Sequence, residues 1–175
     1  MSRSSALTVA LNEAFLAPFG ADAVAVNGLD SKPLLVDMVL PLPPRLRVYM
    51  YSLVGGVGTK RDFEYKAVLR LRNHPTGEYR SFDHSGDRLA LLVAYRADLD
   101  VFVLWDATVH PRFKNGGNIQ VRTDTVVEAA ATGTAEQRRR LTSGHVETVM
   151  VCTSAHLRRT MLRRIEATGG MSVPG

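Results

Sequence analysis

Two runs of this chain are apolar at nearly every position, Leu89 to Tyr95 and Val101 to Trp105, and only Arg96-Ala97-Asp98-Leu99-Asp100 separates them. Successive side chains of a strand point to opposite faces, so a strand with one wet face alternates apolar and polar residues. A strand without that alternation is covered on both sides. The pair predicts a buried central hairpin, and the rest of the chain has to supply its covers. With 45% of 175 residues apolar, the chain can do so without covalent staples. The lone cysteine, Cys152, rules out an internal disulfide and a cysteine-rich zinc site. Its place in the apolar run Val149-Met150-Val151-Cys152 reads as a buried, inert thiol ahead of a nucleophile.

Around the hairpin the pattern is mostly short strands. Leu7, Leu11, Ala14 and Phe15 recur at helical spacing and predict a helix over 4–17, ended by Pro18-Phe19-Gly20. Strands are expected over 34–40, 46–54, 64–72, 118–121 and 146–152, with Gly55-Gly56-Val57-Gly58 as a flexible turn that lacks the lysine and helix of a P-loop. Asp124 is a plausible N-cap for a helix over 125–132 closed by Gly133. After a polar link around Arg138-Arg139-Arg140, Ser154 caps a last helix that turns Leu157, Met161, Leu162 and Ile165 inward. The expectation is an α+β fold, a single mixed, curled β-sheet of about six to seven strands with an N-terminal and two late helices. Residues 1–170 read as one domain and 171–175 as a tail or the start of a linker. No run approaches the roughly 18 apolar residues of a membrane span, and the N-terminus leads into an amphipathic pattern, so a soluble, cytoplasmic protein is expected.

Charge is unevenly placed. The net +5 arises entirely beyond residue 57, and eighteen of the 22 basic residues are arginine. Arginine forks match phosphate oxygens and guanine edges, so this balance points to a polyanion, although an arginine-rich codon bias gives the same count. Lys66, Arg70 and Arg72 share the outer face of the 64–72 strand with Val68, either as a solvated face or as a row of phosphate contacts. Arg138 to Arg140 and the row Arg158, Arg159, Arg163 and Arg164 admit the same two readings.

Catalytic patterns are sparse. Glu64-Tyr65-Lys66 with Asp37 upstream suits a metal-dependent nuclease, in which two carboxylates hold a divalent cation and the lysine positions water. The same residues also fit an exposed strand end with a cross-strand ion pair. His74, His84, His110, His145 and His156 lack metal-ligand spacing, and no serine sits in a nucleophile elbow, so no metal or cofactor is expected. Binding is favoured over catalysis. A basic interaction domain without a nucleic-acid role stands as a duller alternative.

Val109 to Asn118 combines His110 and Pro111, the cations Arg112 and Lys114, two asparagines, and Gly116-Gly117, which let a backbone come close. Such a loop can hold phosphate with Arg112 or Lys114 while Asn115 reads a base edge, or it can be an ordinary connection with Phe113 plugging the core. The stretches Arg61 to Lys66, Leu91 to Asp106, His110 to Phe113 and Asn118 to Arg122, taken in order, resemble the sulfur-binding domain of phosphorothioate-dependent restriction endonucleases. A methylase-associated recognition domain is similar in pattern. The resemblance spans roughly residues 55–165 and implies binding of double-stranded DNA in the major groove, with one backbone sulfur in a small apolar pocket. It places His110 and Pro111 in that pocket and Arg61 near the modified phosphate. Lys66, Arg112, Lys114, Asn115, Gly116 and Asn118 would face phosphates and bases. It also implies an HNH nuclease domain or subunit elsewhere, this chain being a reader that does not itself cut.

Overall fold

The computed structural model describes residues 3–43 and 45–169; the expected tail at 171–175 lies outside the described residues. In chain order, helix α1 (Arg3–Leu16) and a 3-10 turn (Ala17–Asp22) lead into strands β1 (Ala23–Ala25), β2 (Leu34–Met38) and β3 (Arg45–Ser52). Next come β4 (Val54–Gly55), β5 (Glu64–Leu69), β6 (Tyr79–Arg80), β7 (Leu89–Arg96), β8 (Val101–Trp105), β9 (Phe113–Lys114) and β10 (Gly117–Arg122). The chain closes with α2 (Thr123–Thr132), β11 (Thr134–Arg140), β12 (Val146–Thr153) and α3 (Leu157–Ala167).

Seven strands form the main sheet in the order β1-β2-β3-β7-β8-β12-β11, and two small sheets, β10-β5-β4 and β6-β9, complete the α+β architecture. The main sheet is mixed because β3 and β7 run parallel while its other neighbours are antiparallel. Parallel neighbours need a long crossover. Residues 53–88 make it, and they carry β4, β5 and β6 out over one face of the main sheet.

Both faces of the main sheet are buried, as the apolar runs require. On one face Val48, Met50, Val93, Phe102, Leu104 and Met150 pack against Leu11, Phe15, Leu157, Met161 and Ile165 of α1 and α3. On the other, Tyr49, Leu92, Val103, Trp105 and Val151 meet Tyr65, Ala67 and Leu69 of β5, Ile119 and Val121 of β10, and Val126 of α2. Cys152 lies fully buried on the helix side, and burial pushes its thiol up to about 11, which fits an inert thiol. No described helix is long and apolar enough to cross a membrane.

Three local expectations need correction. Arg138 to Arg140 are not a link but the end of edge strand β11, in register with β12 from Thr134 opposite Cys152 to Arg140 opposite Val146. An edge strand takes its stability from main-chain pairing and buries little, so its residues show almost no apolar alternation. Ser154 opens a short 3-10 turn (Ser154–His156) before α3, and its hydroxyl donates to Asp100 instead of capping a helix. Arg122, not Asp124, stands at the N-cap of α2; Asp124 lies in the first turn, where its carboxylate accepts from the Thr125 amide and meets the positive end of the helix dipole.

Phe102 is fully buried, with its ring stacked on Tyr95 at 4.3 Å between centroids. Phe102→Ala should lower the stability measured by urea unfolding by about 3–5 kcal/mol. Val127→Ala, at an exposed position of α2, should change it by no more than about 0.5 kcal/mol.

Candidate nucleic-acid interface

The covering sheet has one face in the core and one in solvent. Along β5 the alternation turns Tyr65, Ala67 and Leu69 inward, which leaves Glu64, Lys66, Val68 and Arg70 outward. Along β10 Ile119 and Val121 face in, and Asn118, Gln120 and Arg122 face out. The antiparallel register sets Gln120 opposite Lys66, Asn118 opposite Val68 and Arg122 opposite Glu64. Cations and amide side chains, which can both donate and accept, therefore stand side by side on one free surface.

Beyond Arg70 the surface continues onto the two-stranded β6-β9 sheet, where Lys114 lies opposite Tyr79. The Tyr79 ring is 55% exposed and carries the Arg112 guanidinium 4.3 Å from its centroid, with the Lys114 ammonium at 5.9 Å. Phe113 points the other way and stacks on Phe82, which meets Tyr49 edge-on, so it does plug the core. A β-carbon on Gly116 would come to 3.0 Å from Thr76 and 4.0 Å from the Arg70 Nε, and the residue holds φ at +92°. The glycine thus lets the 70–76 segment and the β9-β10 turn close on each other.

Charge on this face is partly open: Arg122 pairs with Asp124, and Arg138, Arg140 and Arg159 elsewhere are also without an ion pair among the described residues. Most arginines elsewhere are paired: Arg45 with Asp87, Arg47 with Asp83, Arg88 with Asp37, Arg96 with Asp98, Arg158 with Asp22 and Arg163 with Glu136. Among the described residues Lys66, Arg70, Arg112 and Lys114 have no acidic partner, and their charge is open to a ligand. Arg61 differs: it is exposed but ion-paired with Glu64 at 3.1 Å, and Gln120 also donates to that carboxylate.

Two residues assigned by sequence to contacts are committed inward. Asn115 is 3% exposed; its amide oxygen accepts from the Leu71 amide, and its amide nitrogen donates to the carbonyls of His74 and Pro75. Its backbone pairs with Glu78 and Gly77, so it pins the 71–78 segment to β9 and has no edge left for a base. His110 donates no free ring either, because its Nε2 lies 3.0 Å from the carboxylate of Glu147. Pro111, Gly116 and Asn118 keep places open to solvent or close to it.

Glu147 is itself 1% exposed and was not singled out by sequence. It stands opposite Arg139 across β11 and β12, accepts from that guanidinium at 2.6 and 2.8 Å, and takes the Asp106 amide at 3.0 Å. Arg139 and the Trp105 indole both donate to the Gln120 carbonyl, which ties the end of β10 to the main sheet. Burial pushes the Glu147 carboxyl up, but the hydrogen bond and charge of His110 and the Arg139 guanidinium outweigh it and hold it below the ordinary value. A carboxylate in phase with the inward Val149 and Val151 of β12 is the signal that could have found it.

The paired carboxylates of a nuclease site do not come together. Asp37 lies opposite Arg45 at the start of β3, whereas Glu64 sits beside β4, past the other end of that strand. Eight strand residues at about 3.3 Å each separate them by on the order of 20 Å. Among the described residues no three His, Cys, Asp or Glu side chains gather where they could hold a metal ion.

The protein family described as Methylase-associated X1 matches residues 44–161, from β3 to the first turn of α3. No curated protein and no solved structure matches the chain.

The depressed Glu147 pKa has a defined consequence for stability. Its stabilisation is present above the ordinary value of 4.5 and is lost as pH falls through the lowered one. Glu147→Gln should cost about 3 kcal/mol in urea unfolding at pH 7, and the gap from wild type should shrink as pH falls below the ordinary value of 4.5 and through the lowered one. Asn115→Ala should cost about 1–3 kcal/mol and speed hydrogen exchange at the Leu71 amide.

Proposed function

The chain belongs to the methylase-associated X1 family, and from that membership we propose that it is a recognition module that binds duplex DNA within a modification and restriction system. The observation that carries this reading is the free face of the covering sheet and the adjoining β6-β9 pair, where among the described residues Lys66, Arg70, Arg112 and Lys114 lack acidic partners while most arginines elsewhere are paired. A polyanion neutralises such a face and releases its counterions. Asn118, on the same outward face as Lys66, supplies a paired donor and acceptor that reads a base edge.

The finer reading is that the module prefers DNA carrying a backbone phosphorothioate. Sulfur in place of a non-bridging oxygen is larger, softer and weakly hydrated. With His110 held by Glu147, the apolar surface open to it is the Pro111 ring and, through Arg112, the Tyr79 ring. Burying some 40 Å² of sulfur there yields only about 1 kcal/mol. A charged oxygen pressed on the same surface without donors costs about 1–3 kcal/mol or more. Discrimination then comes mostly from rejecting oxygen. The module binds and does not cut, and an HNH nuclease domain or subunit supplies the cleavage.

Binding of one short duplex in plain, backbone-sulfur, base-methylated and single-stranded forms, at stated salt and without metal, tests both levels. The expected result is salt-dependent duplex binding with a preference for the sulfur form that Pro111→Glu abolishes. Arg70→Ala and Lys114→Ala should each lower the slope of log K against log salt by about one without changing the preference. Equal binding to all four forms would refute the sulfur reading. Magnesium should leave the duplex intact, and cleavage lost in Glu64→Ala would refute the reader.

A further inference from the structure

Phe63 is 66% exposed, and nearby Val57 is 75% exposed, at the turn that joins β4 to β5. The backbone beneath them is held at several points. The Phe63 carbonyl accepts from the Thr123 amide at 2.9 Å, the Asp62 carbonyl accepts from the Thr123 hydroxyl at 2.6 Å, and the Gly56 amide donates to Glu64. Gly56 admits no other residue, since a β-carbon there would lie 2.1 Å from the Tyr65 ring. The aromatic side chain is therefore presented on a fixed base at the N-terminus of α2.

Beside this tip opens a cleft of about 330 Å³ lined by Gly55, Thr59, Lys60, Arg61, Glu64 and Lys66. Its three cations outnumber its one carboxylate, and Glu64 is already engaged by Arg61 and Gln120. Asp62, between Arg61 and Phe63, is exposed and turns its carbonyl to Thr123. Lys66 belongs both to the cleft and to the outer face of β5, so the cleft is continuous with the face assigned above to DNA. An apolar ring held rigidly next to a cationic cleft matches two adjoining features of a nucleic-acid strand, a base face and its phosphate.

We propose that Phe63 is a wedge that inserts at a base step of the bound duplex, with the adjoining phosphate seated in the cleft of Lys60, Arg61 and Lys66. The inference rests on the duplex-binding reading and adds a contact to it. Apolar side chains that enter between base pairs unstack them, and the distortion lets more of the protein surface reach the strand. The wedge is blind to the backbone mark; its contribution goes to affinity and to the shape of the DNA.

The test uses the whole chain and duplexes in which 2-aminopurine is moved step by step through the site. Wild type should raise the 2-aminopurine fluorescence at one position. Phe63→Ala should lose that rise and bind roughly tenfold or more weakly, with its melting temperature unchanged because the ring is exposed. Phe63→Trp should keep the rise and report stacking a second way, by quenching of the new indole on DNA. Wild-type binding with no rise at any position, or Phe63→Ala binding as wild type does, overturns the wedge and leaves the duplex reading standing. Failure of wild type to bind duplex at all overturns both.

Discussion

Burial of the main sheet on both faces governs the rest of the molecule. Val103, Leu104, Val93 and Val151 have no accessible surface, and neighbours along one strand point to opposite covers. Each face contributes on the order of 25 cal/mol for every Å² of apolar surface removed from water, so neither can be left open. Helices α1 and α3 cover one face, and the β4-β5-β10 sheet with α2 covers the other. Once both covers are in place, the central strands β3, β7, β8 and β12 have little surface to offer a ligand. The sheet layer ends in a free face whose outward residues no packing demand dictates, and that face carries Lys66 and, at its end, Arg70, both without an acidic partner among the described residues.

The helix layer is built differently. Two of its arginines reach acids at the rim, Arg158 to Asp22 and Arg163 to Glu136, and Arg164 is buried with a hydrogen bond to the Thr148 carbonyl. Exposed pairs of this kind are worth little in stability, but they cancel charge locally. The long-range field of a +5 chain is consequently concentrated where cancellation is missing. A count of arginines cannot separate these cases, because a paired and an unpaired arginine contribute equally to composition.

What sequence made legible follows from periodicity. The central hairpin, the inward face of β5 and the apolar stripe of α3 all rest on repeats of two or of three to four residues, and burial enforces such repeats. Strand β11 was missed because edge pairing needs no apolar alternation, and the two-residue strands β6 and β9 are too short to show a period. Asn115 illustrates the harder limit. An asparagine beside glycines reads as a free amide, but its direction is set by the Leu71, His74 and Pro75 backbone groups, forty and more residues away in sequence. Nothing local distinguishes an amide that staples two loops from one that faces solvent. On β5 the outward residues Lys66 and Val68 were readable from the alternation; in the loop around Asn115 the outward residues were not.

Glu147 explains why the interface can be stiff although it lies on a covering layer and its loops. A buried carboxylate costs several kcal/mol to desolvate and persists only when donors replace its water. Here the donors come from three separate places: Arg139 on β11, His110 on the loop before β9, and the Asp106 amide at the end of β8. Losing any one leaves the charge under-satisfied, so the carboxylate ties the three segments to one another. Arg139 passes the constraint on to the Gln120 carbonyl, and Gln120 opens outward opposite Lys66. A group of inward polar bonds therefore holds the outward ones in register. A surface built from a few donors and an apolar ring discriminates between similar ligands only if it cannot relax to accommodate both.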